Sequence, residues 1–578
     1  MLAPIFEKVQ QLFQTVEKHL GDPVALPFSN TDTSLKNILI GGGVTGLISY
    51  AVSKYIVYNL YLHPLSKIPG PPVDWIPFLG NIRELIREES GVPYKKWAER
   101  YGDISRHHGA WNRPVILVSD PDLLKQVLMT EVYDFTKAPD DAKYITRILG
   151  SGLLVSEGDI HKRHRKMLNP AFSIQAVREL TPILFVPPVQ LCEKWMSEIK
   201  AKQTNPSEAV EIVVSHGLSL VALDEIGLGG FGQEFNAIRH ADSVDSDTSN
   251  KQQVHKLSWA YQTLFDPSRR TFWTILGLFF PAALYVPTKQ NRQLNKALRT
   301  LAEESRNIVQ HGIERAQVTS GKSVGNNLLS MMIRNADEDE SDQGFTVEEL
   351  RNQCLTFLAA GHETTAVSLT WCLLLLAQHQ DVQDALRAEV TPVVERINMD
   401  DSVFHDEGPF GIGFEGADMP SYETMNSLHL LNNVIRETAR LIPVVPVTAR
   451  YATKNTTMKH HFVPKGTDVV IPIVVNHHSK TIWGDDAETF RPGRWDEEPA
   501  YSKVGSYEYF PFLAGTRQCI GYRFALIELK IILAILITKF QFFEKPGFVV
   551  KRRQELTLRP VPNMTLLVKP ISSTPSSH

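Results

Sequence analysis

The chain has 578 residues, of which 43% are hydrophobic and 21% charged, and its formal net charge is −4. This composition is that of a globular protein and excludes a chain that is disordered along its whole length. A slightly acidic chain carries no positive field that would attract nucleic acid, so no nucleic-acid partner is predicted. The four cysteines show no paired Cys-x-x-Cys spacing, which argues against a zinc site and a disulfide framework.

Residues 1–62 are predicted to bind a membrane. Within residues 1–37, apolar residues recur at helical spacing with charged residues between them, which predicts an amphipathic helix at a membrane surface. Residues 38–62 contain one charge, Lys54, over a length close to the roughly 20 residues that cross a bilayer, and they predict a transmembrane helix. Prolines then interrupt residues 63–72 and predict a stiff hinge.

Residues 158–172 are rich in basic side chains, and two of them, His161 and Arg165, stand four positions apart. Taken alone, this composition is typical of a basic helix on a protein surface. The side chains expected to point outward are those of Lys162, Arg163 and Lys166. A cationic patch of this kind would suit docking of an acidic partner protein.

A long helix is predicted to begin at Thr346. Thr346 and Glu349 form a capping-box pattern after an acidic stretch, and helix-compatible sequence continues to about His379. Inside this segment, His362 and Glu363 resemble the start of a zinc-protease motif, but the second histidine of that motif is missing. The sequence therefore excludes a metalloprotease.

A single cysteine near the C-terminus stands in a frame of residues at fixed offsets. The frame consists of Phe512, Gly515, Arg517, Cys519 and Gly521. The glycines are expected to let the backbone turn tightly under a flat macrocycle, and the arginine to pair with an acidic group of that ligand. An apolar run over residues 524–536 predicts a helix that begins just after the cysteine, where the helix dipole favours a thiolate. A lone cysteine is usually a buried structural residue, but the whole frame favours a haem ligand.

This frame matches the cytochrome P450 signature Phe-x-x-Gly-x-Arg-x-Cys-x-Gly at every fixed position, and three other segments resemble motifs of that family in the same order. The resemblance covers about residues 61–570. It implies a mainly α-helical P450 fold with a small β subdomain over residues 73–570, preceded by the single transmembrane helix and followed by a disordered tail over residues 571–578. It also implies heme b, with the thiolate of Cys519 as the axial ligand of the iron.

The resemblance assigns further residues to the cofactor and to catalysis. Residues 360–364 resemble the oxygen-binding motif, in which Ala360 and Gly361 lie against the haem and the glycine leaves room for dioxygen. Glu363 and Thr364 would be the catalytic pair that relays protons to bound oxygen. The haem-binding loop would consist of Phe512, Gly515, Arg517, Cys519 and Gly521, with the arginine on a propionate.

Two more resemblances concern charged residues. Residues 158–172 resemble a helix in which a tryptophan and an arginine reach the haem propionates, and here His161 replaces the tryptophan while Arg165 is kept. The buried triad of the family, which lies behind the haem, corresponds to Glu437, Arg440 and Arg494. Gly493 stands where the family usually has a glutamate, at a position outside the triad.

The resemblance implies a monooxygenase that inserts one oxygen atom of O2 into an apolar small molecule. The fungal character of the hinge favours a terpenoid or polyketide secondary metabolite as substrate, with a fatty acid as the alternative. The expected lining of the substrate pocket is Val444, Val445 and Val447. Electrons would come from a separate NADPH–cytochrome P450 reductase, with cytochrome b5 as an optional second donor. The catalytic domain would lie on the cytosolic face of the endoplasmic reticulum membrane.

Two other functions use the same fold. A P450-fold isomerase or dehydratase rearranges an oxygenated substrate without a reductase, and a haem-binding sensor has no turnover. The isomerases and dehydratases usually lose the acid and the threonine of the central helix, and a sensor does not need them. Because this chain keeps Glu363 and Thr364, the sequence favours the monooxygenase.

Overall fold

The computed structural model of the protein describes residues 32–205, 208–241, 249–264, 272–318, 327–337, 344–395, 419–497, 504–554 and 556–571. The chain divides into two compact units, Met1–Leu62 and His63–His578. Most of the predicted amphipathic segment, residues 1–31, and most of the predicted tail, residues 572–578, lie outside the described residues.

In the first unit, helix α1 spans Asp32–Ala51 and a π-helical segment follows over Val52–Leu62. The apolar residues of the predicted membrane span are thus divided between two segments. Among the described residues, no helix combines the length and the hydropathy that are needed to cross a membrane. The predicted transmembrane helix over residues 38–62 is therefore not confirmed.

The second unit is mainly α-helical. Its first helices are α2 (Ile82–Arg87), α3 (Val92–Tyr101), α4 (Pro121–Lys125), α5 (Pro139–Leu149), α6 (Gly158–Leu168), α7 (Ile174–Leu180), α8 (Val186–Lys202), α9 (Val214–Glu225) and α10 (Ala237–His240). They are followed by α11 (Ser249–Leu264), α12 (Phe272–Phe279), α13 (Lys289–Val318), α14 (Leu328–Asp337), α15 (Val347–Gln378), α16 (Gln380–Val394), α17 (Tyr422–Ser427) and α18 (His429–Leu441). The last are α19 (Ile473–His477), α20 (Lys480–Trp483) and α21 (Tyr522–Lys539). Segments of π-helix over Gln126–Thr130 and Ile226–Phe231 directly continue α4 and α9.

The strands form small sheets. They are β1 (Ile104–His108), β2 (Pro114–Val118), β3 (Phe135–Thr136), β4 (Val210–Ile212), β5 (Thr448–Ala452), β6 (Thr456–Met458), β7 (His461–Val463), β8 (Asp468–Ile471), β9 (Phe540–Glu544), β10 (Lys551–Gln554), β11 (Leu558–Val561) and β12 (Leu566–Pro570). One sheet has the order β1-β2-β8-β5-β3 and is antiparallel except between β2 and β8. A second has the order β4-β12-β9, and β6–β7 and β10–β11 form two-stranded ladders. This architecture agrees with the predicted mainly α-helical fold with a small β subdomain.

Helix α15 runs through the core and begins where the sequence predicts. The Glu349 amide donates to Thr346 Oγ1 at 3.2 Å, and the Thr346 amide donates to Glu349 Oε2 at 3.0 Å, so the capping box is complete. The helix ends at His379, which is its C-cap. Both predicted ends are therefore confirmed.

Helix α21 carries the second strongly apolar segment. It begins at Tyr522, and from Ile527 to Thr538 every residue is buried. Its apolar side chains share one core with those of α9 and α15. The predicted helix after Cys519 is confirmed, and its burial fixes the position of the loop that precedes it.

Candidate active site

Cys519 lies in a tight loop directly before α21. A 3-10 turn over Gly515–Arg517 leads into the loop, and the Cys519 amide donates a hydrogen bond to the Phe512 carbonyl at 2.8 Å. Gly521 is the N-cap residue of α21. The loop therefore folds back on itself and presents the cysteine at the start of a buried helix.

Cys519 differs from the other three cysteines, all of which the structure describes. It is exposed, whereas Cys192, Cys354 and Cys372 are buried. Protein atoms nevertheless surround the sulfur, and this burial raises the pKa of the thiol, although the Gly521 amide and Arg165 act in the opposite direction. Cys519 is therefore exposed as a residue although protein atoms lie close to its sulfur. The helix N-terminus alone does not produce the predicted thiolate, so an iron ion would have to displace the thiol proton.

The two glycines of the loop have different roles. Gly515 has φ +70°, and a Cβ built on it would lie 2.4 Å from the carbonyl oxygen of Leu128. Gly521 has φ −87°, and a Cβ there would meet only the Phe172 ring at 3.5 Å, which is an ordinary contact. The predicted tight turn is therefore found at Gly515, whereas the backbone at Gly521 has a conformation that any residue can adopt.

Replacing Gly515 by alanine is expected to destabilise the protein by about 2–4 kcal/mol, because the new Cβ adds backbone strain to a clash with a carbonyl oxygen. The matched control is Gly493→Ala, since nothing lies within 4 Å of a Cβ built there. The midpoint of urea unfolding measures both effects. Equal midpoints for the two variants would contradict the strain argument.

One face of α15 is less buried than the rest of the helix. Between residues 353 and 377 every residue is buried except four half-buried ones, which are Ala360, Gly361, Thr364 and Ser368. Their spacing places them on one helical face. The structure thus brings the predicted cofactor-side residues and the predicted catalytic threonine onto a common surface.

Two close contacts involve residues on this face. The Thr364 hydroxyl donates to the Ala360 carbonyl at 2.7 Å, one turn earlier. A Cβ at Gly361 would lie 2.9 Å from Cδ1 of Ile226. The glycine therefore lets the segment Ile226–Phe231 approach α15 closely. The space that its missing Cβ leaves is occupied by the Ile226 side chain and is not open to dioxygen.

Glu363 has partners that the sequence did not indicate. Its carboxylate is 1% exposed and forms a two-pronged ion pair with Arg559 of β11. The Thr557 hydroxyl donates to the same carboxylate at 2.7 Å. Glu363 and Thr364 are adjacent in the sequence, but their hydrogen bonds go to different partners. The structure therefore holds the acid of the expected relay away from the threonine.

Arg517 is also paired within the chain. Its side chain forms an ion pair with Glu157 and donates to the Ser156 carbonyl at 2.7 Å. Burial lowers the pKa of Arg517 to about 10. A buried guanidinium needs an anion, and Glu157 provides it where the resemblance predicted a propionate.

Helix α6 places His161 and Arg165 near the cysteine loop. Arg165 Nη1 donates to the carbonyl of Gln518, the residue before Cys519, at 2.6 Å. The His161 ring is buried and lies 3.1 Å from the Tyr133 hydroxyl. Burial and the neighbouring cation Arg165 lower the pKa of His161 to about 4, so the ring is neutral near pH 7. Neutral imidazole retains one N–H donor.

Two further cations near Arg517 escaped the sequence-based prediction. Arg450 of β5 is 3% exposed, and burial lowers its pKa to about 10. The pKa of Lys137 is lowered well below its usual range by burial and by the charges of Arg450 and Arg517. The positive charges of these side chains repel one another. Glu157 pairs with Arg517 and is the carboxylate of this group. Such a cluster fits a dianionic ligand group, as the two propionates of a haem would be.

The expected cationic patch on α6 is smaller than predicted. Lys162 and Lys166 are exposed, and Lys162 pairs with Asp159 at 2.9 Å. Arg163 instead turns toward α15, where it pairs with Glu349 and donates to the Gly344 carbonyl at 3.2 Å. The prediction that Arg163 points outward is therefore wrong, because the capping glutamate of α15 attracts it.

The three residues of the predicted triad meet in the core. Glu437 binds Arg440 through two hydrogen bonds of 2.9 Å and Arg494 through one of 2.9 Å, and all three side chains are fully buried. Asp486 adds a second carboxylate, which accepts from Arg494 Nη1 at 3.1 Å. The Arg491 amide also donates to Glu437 at 3.0 Å. The triad therefore has a fourth, acidic member.

A cysteine loop before a buried helix, a cationic cluster near this loop and a buried Glu-Arg-Arg triad fit a haem-thiolate protein. The family model for cytochrome P450 matches residues 69–568. Cytochrome P450 monooxygenase 128 of Postia placenta is 32% identical over 87% of this chain and 90% of its own length. The monooxygenases sphH of Aspergillus fumigatus and FUM15 of Gibberella moniliformis are 30% and 29% identical over 89% and 91% of this chain, and the matches cover 90% and 92% of those proteins. The chain belongs to the cytochrome P450 family, and it is an oxidoreductase of the monooxygenase type.

Proposed function

We propose that this protein is a haem-thiolate monooxygenase that oxidises an apolar small molecule of fungal secondary metabolism, a terpenoid or a polyketide. The observation that carries the proposal is the exposed Cys519 in the loop before α21, with the cation Arg165 near its sulfur and Lys137 near the loop residue Arg517. The similarity to monooxygenases of three fungi supports the fungal context. Bound haem iron would supply the activation of O2.

The chain offers distinct groups for each part of heme b. Cys519 would hold the iron, and Arg165 and His161 would donate to the propionates together with Arg450 and Lys137. The loop residues Phe512, Gly515, Arg517 and Gly521 would surround the cysteine. Ala360 and Gly361 would lie on the opposite side, on the half-buried face of α15.

The substrate site is proposed to lie against this face of α15. Val444, Val445 and Val447 follow α18 and are half-buried. Three aliphatic side chains offer no hydrogen bonds, so they favour an apolar ligand. Thr364 and Ser368 would be the polar groups of that surface.

Thr364→Ala is expected to retain haem but to release reduced oxygen as peroxide, with product formation lowered roughly tenfold or more, because the hydroxyl that would handle protons is lost. Ser368→Ala is the matched control, since that hydroxyl is half-buried on the same face and donates to the Thr364 carbonyl at 2.8 Å. The measurement is peroxide formed per NADPH oxidised. Equal, tight coupling in both variants would refute the role of Thr364.

Electrons are proposed to come from an NADPH–cytochrome P450 reductase, with cytochrome b5 as an optional donor. The exposed lysines Lys162 and Lys166 of α6 support docking of an acidic protein on the side of the cysteine loop. The Arg165 contact to the carbonyl before Cys519 ties this helix to the loop.

The function is tested by adding reductase and NADPH to the haem-loaded protein with a library of apolar compounds. We expect hydroxylated product from a terpenoid or polyketide, formed only when reductase is present. Hydroxylated fatty acid would identify the other substrate class. Product without reductase would identify an isomerase or dehydratase, and complete absence of turnover would favour a haem-binding sensor.

We propose that residues 1–62 attach the enzyme to the endoplasmic reticulum membrane and leave the second unit in the cytosol. The support is the apolar sequence of residues 38–62, which contains one charge. Deleting residues 1–62 is expected to shift the protein from the membrane to the soluble fraction while the haem spectrum is retained. Equal partitioning of the truncated and full-length proteins would contradict the proposal.

A further inference from the structure

Two buried carboxyl groups lie within hydrogen-bonding reach of each other behind the half-buried face of α15. Glu225 is the last residue of α9 and is 0% exposed, and Glu528 lies in α21 and is 1% exposed. The hydroxyl of Thr365 in α15 donates to Glu528 Oε2 at 2.7 Å. In the part of the chain that the structure describes, no N–H or O–H group donates to either Glu225 oxygen or to Glu528 Oε1.

Among the described residues, none of the charges that act on these two carboxyl groups is a cation. The charges that act on Glu225 are those of Glu528 and of Asp224, and the groups that act on Glu528 are Glu225 and Thr365. Asp224 is already bound by the amides of Ala237 and Ile238. Two ionised carboxylates would repel each other and leave buried acceptors unsatisfied. One proton held between them removes the repulsion and pairs one oxygen of Glu225 with one of Glu528.

The hydroxyl of Thr365 has a different kind of hydrogen-bond acceptor from the neighbouring hydroxyls of α15. The hydroxyls of Thr364, Ser368 and Thr370 each donate to the carbonyl four residues earlier. The Thr365 hydroxyl donates to Glu528 instead, which leaves the carbonyl of Gly361 without this bond. The residue after Glu225, Ile226, packs against Gly361 itself.

We propose that Glu225 and Glu528 share one proton, and that the pair acts through Thr365 to position residues 360–364 of α15. Both glutamates and Thr365 are positioning residues. When the hydrogen bond between the two side chains is lost, because the proton leaves or because one side chain is removed, Glu528 shifts beneath Thr365 and α15 loosens where its half-buried face lines the site. Burial raises the pKa of both carboxyl groups, which is consistent with a retained proton.

The shared proton is tested directly by infrared spectroscopy of the haem-loaded full chain. We expect the C=O stretch of a protonated carboxyl group in the wild type and its loss in Glu225→Gln, whose amide replaces the acid without changing its shape. The matched control is Asp224→Asn, because Asp224 is a neighbouring buried carboxyl with its own backbone donors. That variant should keep the band of the pair, and an unchanged band in Glu225→Gln would overturn the proposal.

The pH dependence of unfolding gives a second test. Because the folded pair keeps a proton that unfolded glutamates release above about pH 4.5, the folded state binds more protons and stability falls as the pH rises. We expect the urea midpoint of the wild type to fall relative to that of Glu225→Gln as the pH is raised from about 5 to about 8. Burial also raises the pKa of Asp224 to about 7, but this contribution is common to both proteins, so parallel pH profiles would overturn the shared proton.

Amide hydrogen exchange tests the positioning of α15. Thr365→Val removes the hydroxyl and Glu225→Ala removes a carboxyl, and each is expected to speed exchange in residues 357–368 roughly tenfold. Thr365→Ser and Glu225→Gln keep the hydrogen-bonding groups and should exchange like the wild type. Equal rates in Thr365→Val and Thr365→Ser would show that Thr365 does not transmit the effect of the pair.

Discussion

Replacing Cys519 by serine is expected to abolish the red-shifted Soret band of the reduced protein under carbon monoxide. The band depends on a thiolate ligand, and a serine hydroxyl is neither ionised near neutral pH nor a soft sulfur donor. Because the sulfur lies in a loop held by the Phe512 carbonyl and by α21, the substitution should leave the fold in place.

The matched control for this experiment is Cys192→Ala. Cys192 is buried in α8, and burial raises the pKa of its thiol to about 12, so it is a packing residue and a poor ligand. The control protein should keep the full band. A band of unchanged position and intensity in Cys519→Ser would exclude Cys519 as the ligand.

Glu437→Gln is expected to lower the free energy of unfolding by about 3–5 kcal/mol, because it leaves buried guanidinium groups without their shared anion. Arg440 is expected to lose the only ion-pair partner that it has among the described residues, whereas Arg494 still pairs with Asp486. Haem content should fall together with stability if the triad supports the haem side of the domain. The midpoint of urea unfolding and the haem absorbance per protein measure the two effects.

A partly exposed ion pair is the appropriate control for the triad. Glu198 and Lys202 of α8 pair at 2.6 Å near the surface. Glu198→Gln should change the free energy of unfolding by no more than about 1 kcal/mol, because water screens that pair. If Glu437→Gln were as mild as Glu198→Gln, the buried triad would have no structural importance.

Sequence patterns within a single helix or loop predicted the parts of the site that depend on contacts between neighbouring residues. The capping box fixed the start of α15, and the apolar run fixed α21, since both signals lie within one helix. The resemblance to a family brought together Glu437 and Arg494, although 57 residues separate them. The cysteine frame likewise predicted the turn at Gly515.

The remaining features depend on contacts between distant segments that carry no local pattern. Arg559 is 196 residues from Glu363, and a single arginine in a short strand has no feature that identifies its partner. Lys137 and Arg450 form a cluster only after β3 and β5 pair. The helix N-terminus also predicted an easily ionised Cys519, whereas the enclosing protein raises the pKa of its thiol. Burial of this kind is a property of the folded chain alone.

The ion pair between Glu363 and Arg559 limits how sequence can be exchanged within this family. A chimera that takes β10 and β11 from a relative without an arginine at position 559 would leave Glu363 as a buried anion in the middle of α15. The loss of stability would occur in the central helix and not in the grafted hairpin. Helix α15 and the hairpin β10–β11 therefore have to be exchanged together, so that Glu363 and Arg559 come from the same protein.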